Sequence, residues 1–150
     1  MKFFSITANF VAIAALVVVA NASPAPDAPA SFLWSDAEFD HWLATTDANI
    51  TYVGEPYNPL EERAILATRV TYCSRRIHKV CGGSCTVYRG GAKCLNAPRT
   101  DCLAATKNVA FCSSAKCGGD CNQLSTCGTR LSGGFCYTPG TKSILVSGNN

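Results

Sequence analysis

Ten cysteines lie between Cys73 and Cys136, and they fall into two matching groups of five. The first group is Cys73, Cys81, Cys85, Cys94 and Cys102; the second is Cys112, Cys117, Cys121, Cys127 and Cys136. Each carries the same inner block, Cys81-Gly82-Gly83-Ser84-Cys85 in one and Cys117-Gly118-Gly119-Asp120-Cys121 in the other. An aromatic residue precedes each first cysteine (Tyr72, Phe111) and a serine follows it (Ser74, Ser113). The pattern is an internal duplication. Five is odd, so complete pairing within the chain requires at least one bridge from residues 73–102 to residues 112–136. The two groups then form one stapled unit.

The chain opens with Lys2, followed by an apolar run from Phe10 to Ala20 and the small-x-small site Ala20-Asn21-Ala22. This reads as a secretory signal peptide over residues 1–22, with cleavage expected after Ala22. Asn9 and Asn21 bracket the run too closely for a spanning helix, which needs about 18 apolar residues. The expectation is a secreted, extracellular protein without a transmembrane span. Export oxidises thiols, so all ten cysteines are expected to be bridged. Zinc is disfavoured, because the cysteine pairs are C-x3-C and the cysteine region holds only His78. The spacing leaves the connectivity open.

Charge divides the rest of the chain. Residues 23–70 carry eight acids against Arg63 and Arg69, a net of −6. Residues 71–150 carry ten bases against Asp101 and Asp120, a net of +8. The expected organisation is an acidic N-terminal segment over 23–69 with two short helices, then a cationic cysteine-rich domain over 70–150. The acidic segment could be a pro-segment, but its helix signals and the lack of a dibasic pair in 23–72 favour a retained part that packs on the cysteine domain with its acids facing the basic surface. Ser35 and Glu38 are placed for a capping box, with Trp34 and Phe39 at the positions of a hydrophobic staple. Trp42 and Leu43 share the face of Phe39. A second helix is predicted from Asn58-Pro59, extending through Ala64, Ile65 and Ala67 towards Arg69. Ile50 to Val53 is a strand candidate.

In the cysteine zone, Val70–Cys73, Thr86–Tyr88 and Ser143–Val146 are β-prone, and Gly90-Gly91 marks a turn. Thr100-Asp101 is predicted to cap a short helix over Leu103–Lys107. The fold class expected is α+β: a small disulfide-rich domain built from a duplicated five-cysteine unit, preceded by the short helical acidic segment. The glycines of the repeated block admit tight turns near crowded bridges or an anion-holding turn.

No catalytic, metal or cofactor constellation stands out. An even thiol count leaves no obvious free nucleophile. His41 and His78 sit in different zones, and no G-x-S-x-G, phosphate loop or metal motif appears. A non-enzymatic protein is expected. The scattered cations, among them Arg75, Arg76, Lys79, Arg89, Lys93 and Arg99, suggest a positive surface drawn to an anionic membrane, a cell-wall polymer or an acidic protein. Nucleic acid is not expected as a partner, since no basic run exceeds two residues. Beyond the expected cleavage site, Asn49-Ile50-Thr51 is the sole glycosylation sequon, with Asn49 as acceptor. The chain is expected to be a monomer.

The signal through Ala22, the Pro/Ala-rich stretch over Ser23–Ala30 and the ten-cysteine region resemble the small secreted cysteine-rich proteins of fungi, a class containing effector-like and antifungal proteins. The resemblance is one of organisation. The spacing departs from defensin and hydrophobin patterns, because there is no adjacent cysteine pair and no C-x-C. The class implies extracellular action by binding, on another organism or on the cell wall. Two rivals are a carbohydrate-binding protein, stacking sugars on Tyr72, Tyr88, Phe111, Phe135 or Tyr137, and a hydrolase inhibitor presenting a bridged loop such as Lys93–Cys102.

Overall fold

The computed structural model describes residues 32–56 and 67–148. The signal peptide and most of the second predicted helix lie outside the described residues. One helix, α1 (Asp36–Thr45), precedes a seven-stranded sheet. Its strands are β1 (Asn49–Gly54), β2 (Thr68–Ile77), β3 (Val80–Gly90), β4 (Lys93–Ala105), β5 (Ala110–Cys112), β6 (Cys121–Gln123) and β7 (Cys136–Val146). The spatial order is β1-β3-β2-β4-β7-β5-β6. Only the β1–β3 pair is parallel; the other named pairs are antiparallel, so the sheet is mixed. The protein is therefore a small α+β domain.

Helix α1 starts where its cap says it should. The Ser35 hydroxyl accepts from the Glu38 N–H at 3.2 Å, and the Glu38 carboxylate accepts from the Ser35 N–H at 2.7 Å. Those bonds from the Ser35 backbone and hydroxyl hold the Glu38 carboxyl below its ordinary range. Trp34 and Phe39 meet edge to face at 5.3 Å, closing the staple. Trp42 and Leu43 pack beside them. Arg69 ties the helix to β2: its guanidinium donates to Asp36 and Asp40 and lies 4.2 Å over the Phe39 ring. Strand β2 begins at Thr68, so Thr68 and Arg69 are extended, not the end of a helix.

Two apolar clusters form. The first holds Val70, Tyr72, Tyr88, Leu95, Leu103, Val109, Leu124, Ile144 and Val146. The second lies under α1 and joins Trp34, Phe39, Leu131 and Phe135 to Cys73, Cys81, Cys85 and Cys102. Both tryptophans thus pack against a layer rich in disulfide sulfur. Trp34 comes so close to Gly134 (φ +80°) that a side chain there would strike the indole.

The predicted helix over Leu103–Lys107 is not formed. That segment ends β4, a strand with pairing partners on both sides, β2 and β7. Leu103 fills the first cluster while Cys102 and Ala104 fill the second. A strand buried on both faces loses the alternation that marks strands in sequence, and its alanines then imitate a helix. The strand candidates at Ile50–Val53, Val70–Cys73, Thr86–Tyr88 and Ser143–Val146 all lie within strands, most of them longer than the local signal.

Candidate functional site

Five disulfides pair all ten cysteines, and no cysteine is free. Cys73–Cys85 and Cys112–Cys121 are the first-to-third bridge of each group. Cys94–Cys117 is the link between the groups. Cys81–Cys102 and Cys127–Cys136 complete the set. The pairing repeats only for the first-to-third bridge.

That bridge marks a shared local structure. Cys73 lies directly opposite Cys85 across β2 and β3, and Cys112 lies opposite Cys121 across β5 and β6. Their Cα atoms are 4.1 and 4.0 Å apart. In each hairpin the following serine accepts a hydrogen bond from the residue before the third cysteine. The Ser74 hydroxyl accepts from the Ser84 N–H at 3.2 Å, and Ser113 from the Asp120 N–H at 3.1 Å. Register shifts between Cys73 and Arg75, which is a β-bulge. The second glycine of each block has positive φ, +84° at Gly83 and +73° at Gly119. A Cβ there would meet Ser74 Oγ and Arg75 Cβ, or Ser113 and Ser114. The glycines therefore serve a tight backbone crossing beside the bridge.

The hairpins differ beyond this shared unit. Between the serine and the next cysteine, β2–β3 has residues 75–80, Arg-Arg-Ile-His-Lys-Val; β5–β6 has only 114–116, Ser-Ala-Lys. In the long hairpin the strands continue past the bridge through the pairs Arg75↔Gly82, Arg76↔Cys81 and Ile77↔Val80. His78, at φ +54°, helps turn the chain. The face carrying Arg76 and Cys81 is anchored. Arg76 lies 4.1 Å over the Tyr137 ring and donates to the His78 carbonyl, while Cys81 is bonded to Cys102. The Lys79 carbonyl accepts from Ser132 N–H at 2.7 Å. The face carrying Arg75, Ile77 and Val80 is open. It borders a shallow hollow of about 330 Å³, whose one acidic lining residue is Asp47.

The structure separates the six cations named from sequence. Arg75, Arg76 and Lys79 share the end of the long hairpin. Arg99 is exposed at φ +57° within the irregular stretch of β4, between Asn96 and Thr100. Lys93 is exposed at the start of β4, next to Cys94, whose bridge to Cys117 brings Lys116 nearby. Arg89 is not a surface cation. It is buried on β3 and donates to the Pro56 carbonyl at 2.9 Å. Among the described acids, only Asp36 and Asp40 form ion pairs with a base, and that base is Arg69. The acidic helix therefore does not neutralise the hairpin cations.

Asn49 is exposed at the start of β1, opposite Ser84 of β3. Its edge strand leaves Tyr52 and Val53 exposed. A larger cavity of about 550 Å³ lies between α1 and the β1–β3 edge, lined by Leu43, Val53, Arg69, Val87 and Arg89 among others. The aromatic residues considered for sugar stacking are mostly withdrawn. Tyr72, Tyr88 and Phe135 are buried, Phe111 is half-buried, and half-buried Tyr137 lies under Arg76. Burial also raises the Tyr72 and Tyr88 hydroxyls above their usual pKa. Nor is Lys93–Cys102 a bridged loop. It belongs to β4, with Cys94 and Cys102 bonded to different partners. Among the described residues no three of His, Cys, Asp and Glu gather as metal ligands.

The chain matches no protein-family model, no curated protein and no solved structure. What the geometry defines is a small cysteine-rich domain stapled by five disulfides. Such density of disulfides is the chemistry of an oxidising, extracellular-type compartment. Among the described residues no helix is long and apolar enough to cross a membrane.

Proposed function

We propose that this is a secreted, non-enzymatic protein of the effector or antimicrobial type, which binds an anionic surface through the end of the β2–β3 hairpin. The observation that carries this reading is the mismatch between the two copies of the bridged hairpin. The longer copy differs by an extension that holds Arg75, Arg76 and Lys79. Arg75 and Lys79 are exposed and take no part in an ion pair with a described acid. Stability of the bridged unit does not explain the exposed Arg75 and Lys79, because the short hairpin closes the same unit without counterparts to them. The organisation shared with small secreted cysteine-rich proteins of fungi supports the same reading. The withdrawn aromatic rings weigh against carbohydrate stacking, and the pairing of Lys93–Cys102 with β7 inside the sheet weighs against a protruding inhibitory loop.

Exposed charges act over a screening length of about 8 Å at physiological ionic strength, so the binding should be salt-sensitive. The test is co-sedimentation of the oxidised protein with anionic vesicles and with insoluble polygalacturonate, at low and at high salt. Binding at low salt that falls at high salt is expected. Replacing Arg75→Gln with Lys79→Gln should weaken it about 10–30-fold, at about 1 kcal/mol per cation near an anionic surface. Binding to neither material at low salt, or binding indifferent to both salt and this double substitution, would refute the proposal.

A further inference from the structure

We infer that the partner of the long hairpin is an anionic lipid bilayer, into whose headgroup boundary Ile77 and Val80 insert; this rests on the anionic-surface reading above. These two residues face each other across the last pair of the hairpin. They are 58% and 61% exposed, and with Tyr52 they are the most exposed of the large hydrophobic residues described. Arg75 stands two residues before Ile77 on the same face, opposite Gly82, which has no Cβ to cover it. Lys79 lies in the turn between them. The end of the hairpin is thus two aliphatic side chains bordered by two cations, with Asp47 the one acid on the hollow beside them.

An acidic polysaccharide would reward the cations and gain nothing from the aliphatic pair. A bilayer rewards both, because its hydrocarbon begins directly beneath its anionic headgroups. Arg75 and Lys79 can reach up to the phosphates while their methylene stems follow the apolar side chains down. The hairpin is also held before it meets a membrane. Cys73–Cys85 clamps its base, and Cys81–Cys102 with the Arg76–Tyr137 stack fixes its other face. Little ordering is left to be done on binding, which favours affinity. The insertion is interfacial, since two residues per hairpin end reach only the boundary and the turn backbone must stay hydrated.

The test compares variants on phosphatidylglycerol-containing vesicles, on pure phosphatidylcholine vesicles and on insoluble polygalacturonate. Ile77→Ser with Val80→Ser should weaken binding to the anionic vesicles by about tenfold, for the partial loss of two aliphatic contacts. Ile77→Phe should strengthen it. Both positions are exposed, so near-native circular dichroism is expected and serves as the folding control. Arg75→Gln with Lys79→Gln should weaken binding to the anionic vesicles and to the polymer alike. If neither Ile77 variant changes vesicle binding while the cation variant still does, the lipid inference is overturned and the anionic-surface reading stands. Preference for the polymer over the anionic vesicles would overturn it equally. If the cation variant changes nothing, the parent reading falls as well.

Discussion

The β2–β3 and β5–β6 hairpins are two uses of one sequence unit. Both place an aromatic-Cys-Ser run opposite the end of a Cys-Gly-Gly-x-Cys block, and both close it with the same cross-strand bridge and serine bond. They part company over the cysteine that opens the block. Cys81 bonds to Cys102 of β4 within its own group, whereas Cys117 reaches Cys94 of the other group. The first bridge supports a long hairpin lying under α1; the second pins a short one against β4. A repeat therefore fixed a local geometry and left the long-range partner of that geometry free. The extra residues of the longer copy, unneeded for the bridge, are where exposed cations and aliphatic side chains collect.

The largest expected effect compares the two shared bridges directly. Removing a native disulfide from a small domain costs about 2–5 kcal/mol, and the two loops enclosed here are similar in length. Burial should separate them. Cys73 and Cys85 are each 1% exposed beneath α1, whereas Cys121 faces solvent. Replacing Cys73 and Cys85 by alanine should cost about 4 kcal/mol, and replacing Cys112 and Cys121 about 2–3 kcal/mol, because the former empties two buried sites and the latter, with Cys112 buried and Cys121 exposed, only one. Urea unfolding of both double variants decides this. Equal losses would mean that loop closure alone governs both hairpins.

The next effect is smaller and should be the same in both copies. Gly83→Ala and Gly119→Ala each put a Cβ at positive φ against the conserved-in-position serine, which should cost about 1–2 kcal/mol. Gly82 has open space around it and ordinary φ, so Gly82→Ala should change stability by no more than about 0.5 kcal/mol. Thermal unfolding of the three variants checks the contrast. A loss at Gly82 equal to that at Gly83 would break the claim that the second glycine alone seats the crossing.

The smallest effect concerns the serines. Ser74→Ala and Ser113→Ala each remove one acceptor for an exposed backbone N–H that water can partly replace, so each should cost about 0.5–1 kcal/mol. A marked difference between the two, again by thermal unfolding, would show that the hairpins are alike in outline only.

Local signals in the sequence were legible where the physics is local. The capping box of Ser35 and Glu38, the staple of Trp34 and Phe39, and the period of Phe39, Trp42 and Leu43 depend on residues within two turns, and α1 follows them. The β-prone runs at Ile50–Val53 and Ser143–Val146 are strands for the same reason. Leu103–Lys107 misled because the end of β4, from Cys102 to Ala105, is covered on both faces, which no local pattern records. Arg89 misled because a charged residue in sequence looks like surface, and only the fold showed it buried beside the Pro56 carbonyl. Of the candidate site, the cations Arg75, Arg76 and Lys79 were visible; the exposed pairing of Ile77 with Val80 was not, since it depends on the register of β2 against β3.

By itself, the sequence determined the duplicated cysteine unit, the first helix and the charge imbalance, because each rests on residue type and short spacing. Parity alone required a bridge between the groups, but it could not name Cys94 and Cys117. That pairing, the strand order β1-β3-β2-β4-β7-β5-β6 and the face on which Arg75, Ile77 and Val80 stand together were decided by tertiary structure. Disulfide partners must approach within a few ångströms, and residues distant in sequence reach that separation only once the strands between them have found their neighbours.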